Sequence, residues 1–244
     1  MKSYYFLSDL HLRDMNDDPA QTLLRFFISL EPKAKDSTVF LVGDIFDLWI
    51  GKHQYFIQKF QPLIEVMQKL ITSGAEIHYF EGNHDLHLKK YWQDDLSLIV
   101  HSDPEYFHFD DEIVRIEHGD QMDPEDKGYL FLRWLLRTPI MRAVALYLPG
   151  FLVAWLGKSM SKTSRAYTNS LRDPQRILKT IHTHAQKVFA VRPFQTIITG
   201  HVHLRDETTF IVSGQKMTSY NLGSWDDSYK VLSKQGRQWS WLTL

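Results

Sequence analysis

The stretch Glu76-Ile77-His78-Tyr79-Phe80-Glu81-Gly82-Asn83-His84-Asp85 decides how the chain is read. An apolar run of strand length, Ile77 to Phe80, leads into a glycine and then into side chains able to bind a cation or move a proton. A loop at the C-terminal edge of a strand can hold such groups rigidly over a crevice, and a glycine beside them lets the backbone turn tightly.

The same pattern recurs on both sides of this stretch. Tyr4-Leu7 runs into Asp9-Leu10-His11, Val39-Val42 into Gly43-Asp44, Ile113-Ile116 into His118-Gly119-Asp120, and Thr196-Ile198 into Gly200-His201-Val202-His203. Any one of these motifs alone is usually a loop or capping feature; their recurrence after five apolar runs is what carries weight. The candidate ligands are Asp9, His11, Asp44, Asn83, His118, His201 and His203, a mixed nitrogen and oxygen set suited to borderline divalent ions such as Mn, Fe, Zn or Co. So many ligands exceed the needs of one ion with an open position. They suit two ions that share a bridging carboxylate, lower the pKa of a water and clamp phosphoryl oxygens for in-line displacement at phosphorus.

Helical patterns separate the early strands. Asp18-Pro19 reads as an N-cap with proline at the first helical position, and one helix is expected from Gln54 to Ser73, closed by Gly74. The β-α-β-α-β order implies a layered α/β domain. Beyond His118, Asp123-Pro124, Thr138-Pro139 and Asp173-Pro174 each read as cap plus first-turn proline, so a helical insertion is expected at approximately 123–190 within a single domain spanning 1–244. Strands are expected again around Arg205-Val212, Met217-Asn221, Tyr229-Leu232 and Gln238-Leu242, as the antiparallel part of a second sheet.

With 244 residues, 43% of them apolar, the chain can bury a core. Lys and Arg number 28 against 29 Asp and Glu, so no global field attracts nucleic acid, and none is expected as a partner. The absence of cysteine excludes disulfides, thiolate metal sites and cysteine nucleophiles, and leaves the 12 histidines as the soft end of any ligand set. The apolar run Tyr4-Leu7 meets Ser8-Asp9 too soon for a secretory signal, so a cytoplasmic chain starting at Met1 is expected. Oligomeric state is left open.

In order, Asp9/His11, Gly43-Asp44-Ile45-Phe46-Asp47, Gly82-Asn83-His84-Asp85, His118 and Gly200-His201-Val202-His203 match the D-x-H, G-D-x-x-D, G-N-H-D/E, lone-His and G-H-x-H blocks of the calcineurin-like metallophosphoesterases, which the chain resembles. The resemblance implies a four-layer αββα sandwich. It also implies one ion held by Asp9, His11, Asp44 and His203 and another by Asp44, Asn83, His118 and His201, with Asp44 as bridge and Mn the foremost metal. His84 then becomes a catalytic residue, stabilising phosphoryl charge or protonating the leaving group, with Asp47 holding its other ring nitrogen.

Tyr129 to Gly157 is rich in Leu, Ala, Trp, Phe and Val, broken by Arg133, Arg137, Arg142 and Pro149. Its charge-free part, Ala143 to Gly157, is short of the ~20 residues of a membrane span. It is either a helix pair packed on the sandwich or an apolar cap, edged by arginines, that lies on a bilayer or holds acyl chains. Asp123-Pro124-Glu125-Asp126-Lys127-Gly128-Tyr129 directly after His118-Gly119-Asp120, followed by this insert, resembles the UDP-2,3-diacylglucosamine hydrolases of lipid A synthesis, which cleave a pyrophosphate to give UMP and a lipid sugar phosphate. That resemblance implies a lipid-linked nucleotide sugar as substrate, acyl chains in the cap, and peripheral contact with the cytoplasmic face of the inner membrane. Substrate contacts would come from Asn83, His84, Asp126, His201, Lys162, Ser164, Arg165, Thr168 and Arg172, the cations facing the diphosphate. Members of that family carry Arg where this chain has His84. The alternative is therefore a phosphodiesterase or phosphatase acting on another small phosphate ester or a phosphoprotein. A third expectation is a non-catalytic metal-binding scaffold, although no ligand is missing.

Overall fold

The computed structural model describes residues 1–150, 173–226 and 228–244. Strand β1 (Ser3–Leu7) has Tyr5 and Leu7 on one face and Phe6 on the other, all fully buried. Burial on both faces is the mark of a parallel strand inside a layered fold. β2 (Ser37–Leu41) lies parallel beside it. The two-residue strands β3 (Trp49–Ile50) and β5 (Asp85–Leu86) pair with each other, flanking β4 (Glu76–Phe80) in sequence. β6 (Ile99–His101) follows β4 in the first sheet, while β7 (Glu105–Phe109), β8 (Glu112–Ile116), β9 (Thr196–Thr199), β10 (Asp206–Val212) and β11 (Gln215–Asn221) form the second, in the order β10-β11-β9-β8-β7. β12 (Lys230–Gln235) and β13 (Gln238–Thr243) complete the first sheet, in the order β13-β12-β1-β2-β4-β6.

Three apolar clusters separate the layers. Helices α1 (Asp18–Leu30), α2 (Gln54–Lys59) and α3 (Gln61–Thr72) cover the outer face of the first sheet, with Leu23, Phe27, Leu63 and Leu70 clustered with Tyr5, Val39, Leu41 and Tyr79. Phe6, Phe40, Val42 and Phe80 meet Val114, Ile116, Ile198 and Tyr220 between the sheets. After α4 (Lys127–Leu136) and α5 (Pro139–Tyr147), helix α6 (Pro174–Val191) lays Ala185 and Phe189 on Ile197 and Met217 of the second sheet. The result is the αββα sandwich. Among the described residues no helix is long and apolar enough to cross a membrane.

Several local expectations need correction. The helix expected from Gln54 to Ser73 is two, broken at Phe60 (φ −111°, ψ 19°), because Pro62 fits only in the first turn of a new helix. The N-cap of α1 is Asp17 rather than Asp18. Asp123-Pro124 starts no helix: Asp123 accepts from Glu125 N at 2.9 Å in a turn, and α4 begins after Asp126, whose carboxylate accepts from Tyr129 N at 2.9 Å. Thr138 and Asp173 do cap α5 and α6, accepting from Met141 N and Gln175 N. The last two strands lie in the first sheet, not the second. β12 runs antiparallel to β1, with Val231 in the helix-side core and Leu232 in the inter-sheet core, so both of its faces are satisfied there.

Candidate metal centre

β1, β2 and β4 are parallel in one sheet, and β8 and β9 are parallel in the other, so the loops that follow them gather at one edge of the sandwich. The strand ladders continue into those loops: Asp9 N–H donates to Gly43 O at 3.1 Å, His11 N–H to Asp44 O at 3.1 Å, and Gly200 N–H to His118 O at 2.8 Å. Asp9, His11, Asp44, His201 and His203 all have left-handed backbones, with φ between 48° and 72°. Non-glycine residues adopt this region at a cost and keep it only where their surroundings over-determine it. Glycine is required beside them by close approach. A Cβ on Gly82 would overlap the Asp44 carboxylate, and one on Gly200 would overlap Ser8 Oγ and Asp9 Oδ2.

The seven side chains expected from the sequence come together as two adjoining groups. Candidate ligand atoms of Asp9, His11 and His203 lie within 4.8 Å of one another, and so do those of Asp44, His118 and His201. His11 Nε2 and His203 Nε2 are 3.0 Å apart, with Asp9 Oδ1 3.4 Å from the latter. Asn83 Oδ1 lies 3.3 Å from His118 Nε2 and 3.0 Å from His201 Nδ1, while Asp44 Oδ2 is 3.5 Å from His118 Nε2. Asp44 also groups with His11 and His84, which places it between the two sets.

The donor and acceptor chemistry of this cluster fits cations. Each carboxylate gives one oxygen to the backbone of another ligand loop, Asp9 Oδ2 accepting from His201 N at 2.8 Å and Asp44 Oδ1 from His84 N at 2.9 Å. The second oxygens turn towards imidazole nitrogens. Asp9 Oδ1 is buried and faces His203 Nε2 at 3.4 Å. His118 Nδ1 donates to Val42 O at 2.9 Å, which orients the ring and turns Nε2 towards Asn83 Oδ1 and Asp44 Oδ2. Carboxylate and amide oxygens gathered around imidazole rings inside a protein call for positive charge among them, carried by a ring proton or by a cation.

The electrostatics agree. Burial opposes charge on both carboxylates, yet the hydrogen bond from His203 and the charge of His118 hold Asp9 below the ordinary carboxylate range, and His118 and His84 hold Asp44 well below it. Burial pushes His11 down to about 4 and lowers His201 as well. His118 rises, to about 10, because Asp44 and then Asp9 outweigh its burial.

His84 stands beside the cluster, its ring 4.8 Å from that of His11. Its Nδ1 meets the backbone carbonyl of Asp47 at 2.7 Å, so the contact that the sequence suggested is made by the main chain. Asp126 caps α4. Lys162, Ser164, Arg165, Thr168 and Arg172 lie outside the described residues.

Other supporting groups are visible only in three dimensions. The fully buried Asp85 accepts from Ile45 N at 2.7 Å, Phe46 N at 3.2 Å and Tyr79 Oη at 2.8 Å, bracing the Asp44 loop. Asn221 Nδ2 donates to Gly200 O at 2.8 Å. Asp120 accepts from Tyr129 and Arg133, and Glu81 from Arg137. Asp85 and Asp120 sit inside the quoted motifs and could have been suspected there, whereas Glu81 and Asn221 carry no sequence signal. Behind the His118 loop a cavity of about 330 Å³ is lined by Glu117, Asp120, Arg115, Arg133 and His184 among others.

No family model matches the chain. The UDP-2,3-diacylglucosamine hydrolase of Pseudomonas putida is 29% identical to it over 221 residues, 90% of each chain. That of Ectopseudomonas mendocina is 28% identical over 231 residues, 94% of this chain and 93% of the relative. Among solved structures an archaeal phosphodiesterase superposes over 99% of both chains with a TM-score of 0.50 at 16% identity, a likeness of fold alone. The chain therefore has the calcineurin-like metallophosphoesterase fold and is related, along nine-tenths of its length, to the UDP-2,3-diacylglucosamine hydrolases.

Proposed function

We propose that the chain is a metal-dependent hydrolase of a pyrophosphate, and that its substrate is UDP-2,3-diacylglucosamine, released as UMP and a lipid sugar 1-phosphate. The observation that carries the metal chemistry is the convergence of Asp9, His11 and His203 and of Asp44, His118 and His201, each set with its candidate ligand atoms within 4.8 Å of one another. Asp9, His11, Asp44 and His203 would hold one divalent cation and Asp44, Asn83, His118 and His201 a second, Mn foremost. Such a pair supplies an acidified water and neutralises phosphoryl charge. His84 donates its Nδ1–H to Asp47 O, which leaves Nε2 as the atom that would meet the phosphoryl group or, when it carries a second ring proton, deliver that proton to the leaving oxygen.

The insertion, from about residue 123, acts as the cap. Phe131 and Trp134 on α4 and Ile140 and Tyr147 on α5 are all more than half exposed, an apolar surface suited to acyl chains or to the inner-membrane face. Asp126 at its entrance and Lys162, Ser164, Arg165, Thr168 and Arg172 further on would meet the sugar and diphosphate. The sequence similarity to the Pseudomonas hydrolases supports this substrate. One observation favours a second reading, a phosphodiesterase or phosphatase for a small ester: His84 occupies the position of an arginine in that family.

Purified protein with Mn is expected to release UMP from UDP-2,3-diacylglucosamine faster than it cleaves a cyclic nucleotide, an aryl phosphodiester or a phosphopeptide. Cleavage of a water-soluble diester with none of the lipid substrate would replace the first reading by the second.

A further inference from the structure

Helix α4 carries Tyr129, Arg133 and Arg137 at intervals of four, so all three share a face, Arg137 at the C-cap. No residue of α4 is fully buried. Its polar contacts go to loops that carry the Asn83–His118–His201 side of the centre. Tyr129 Oη donates to Asp120 Oδ2 at 2.9 Å and Arg133 Nε to the same oxygen at 2.6 Å, two residues beyond His118. The Tyr129 ring lies 5.7 Å from that of His201. Arg137 Nη1 donates to Glu81 Oε2 at 2.7 Å and Nη2 to Gly82 O at 3.3 Å, directly before Asn83. Glu81 in turn accepts from Leu88 N at 2.9 Å, so its carboxylate spans the loop that bears Asn83 and His84. Both side chains of the Arg137–Glu81 pair are largely withdrawn from solvent, at 18% and 6% exposure.

We infer that Arg137 is a positioning residue for the second cation: its fork on Glu81 and on Gly82 O holds Asn83 against His118 and His201, and so ties that ion's affinity to the docking of the insertion. The inference rests on the dinuclear reading above. None of these anchors is on the Asp9–His11 loop, so the first ion's site is expected to be indifferent to them. A planar guanidinium can address a carboxylate and a carbonyl together, which a lysine ammonium does less well. Groups that orient metal ligands from outside typically change metal affinity about 10–100-fold when removed.

The test uses the full chain stripped of metal and titrated with Mn alone, followed by calorimetry and by electron paramagnetic resonance. The wild type is expected to bind two equivalents and to show the exchange-coupled signal of a paired centre. Arg137→Ala is expected to bind the first equivalent as the wild type does and the second about 10–100-fold more weakly, with an uncoupled six-line spectrum at one equivalent and beyond. Arg137→Lys, which keeps the charge opposite Glu81 and guards against a misfolded alanine variant, should lose less. Arg142→Ala, an exposed arginine of the same insertion, should change neither equivalent. Wild-type affinity for both ions in Arg137→Ala and Arg137→Lys overturns the inference while leaving the dinuclear reading intact. Equal weakening of both ions also overturns it, and a wild type that binds fewer than two ions overturns both.

Discussion

His84 is tied into the centre twice, by its backbone N–H to Asp44 Oδ1 at 2.9 Å and by Nδ1 to Asp47 O at 2.7 Å. The first bond belongs to the main chain and survives truncation of the side chain; the second orients the ring. His84→Ala is therefore expected to retain its Mn while kcat falls by about 10²–10⁴-fold, the usual worth of a positioned proton-transfer group. Loss of metal in step with activity would instead make His84 a ligand. The residue was legible in the sequence because it follows Gly82-Asn83 after an apolar strand, but its partner atom was not. Which atom of Asp47 faces His84 depends on how the Asp44 loop is folded back over β5, with Asp85 bracing Ile45 N and Phe46 N from below.

At the level of elements, β4 and β6 place His78 and His101 side by side between the sheets, Nδ1 of the first 2.9 Å from Nε2 of the second, with the His101 ring stacked on Phe80. Burial, and next the charge of His78, lowers the His101 pKa from 6.5 to about 4. Because the folded-state value lies below the unfolded one, the neutral ring is the one the fold favours. Its contribution is complete above about pH 6.5 and is lost as the pH falls towards 4. In urea unfolding at pH 7.5 and pH 4.5, the wild type should lose about 1 kcal/mol more than His101→Phe, after allowance for screening of a ring that is partly open to water. Identical losses would show that the pair is not held neutral. The short apolar runs of β4 and β8 made those strands readable in advance. β3, β5 and β6 are two or three residues long and exist only because a neighbour offers them a ladder.

For the whole molecule, a centre built from buried acceptors should be strained without cations and relieved by them. Saturation at 100 times Kd is worth about 2.7 kcal/mol per ion, or roughly 5–10 °C in a chain of this size. Mn should raise the melting temperature by that order, a chelator should reverse it, and Asp44→Asn should remove most of the rise; a melting temperature blind to Mn would take the metal out of the centre. The sequence by itself singled out the seven candidate side chains, their order and the layered α/β architecture, because strand-end glycine motifs and short apolar runs are local and leave their mark in consecutive residues. Only the tertiary structure decided that β12 and β13 join β1, that five residues of the centre take left-handed backbones, and that α4 is anchored to Asp120 and Glu81. Those outcomes are chosen by partners distant in the chain, Arg137 and Glu81 being 56 residues apart, and no local preference for helix or strand contains the identity of such a partner.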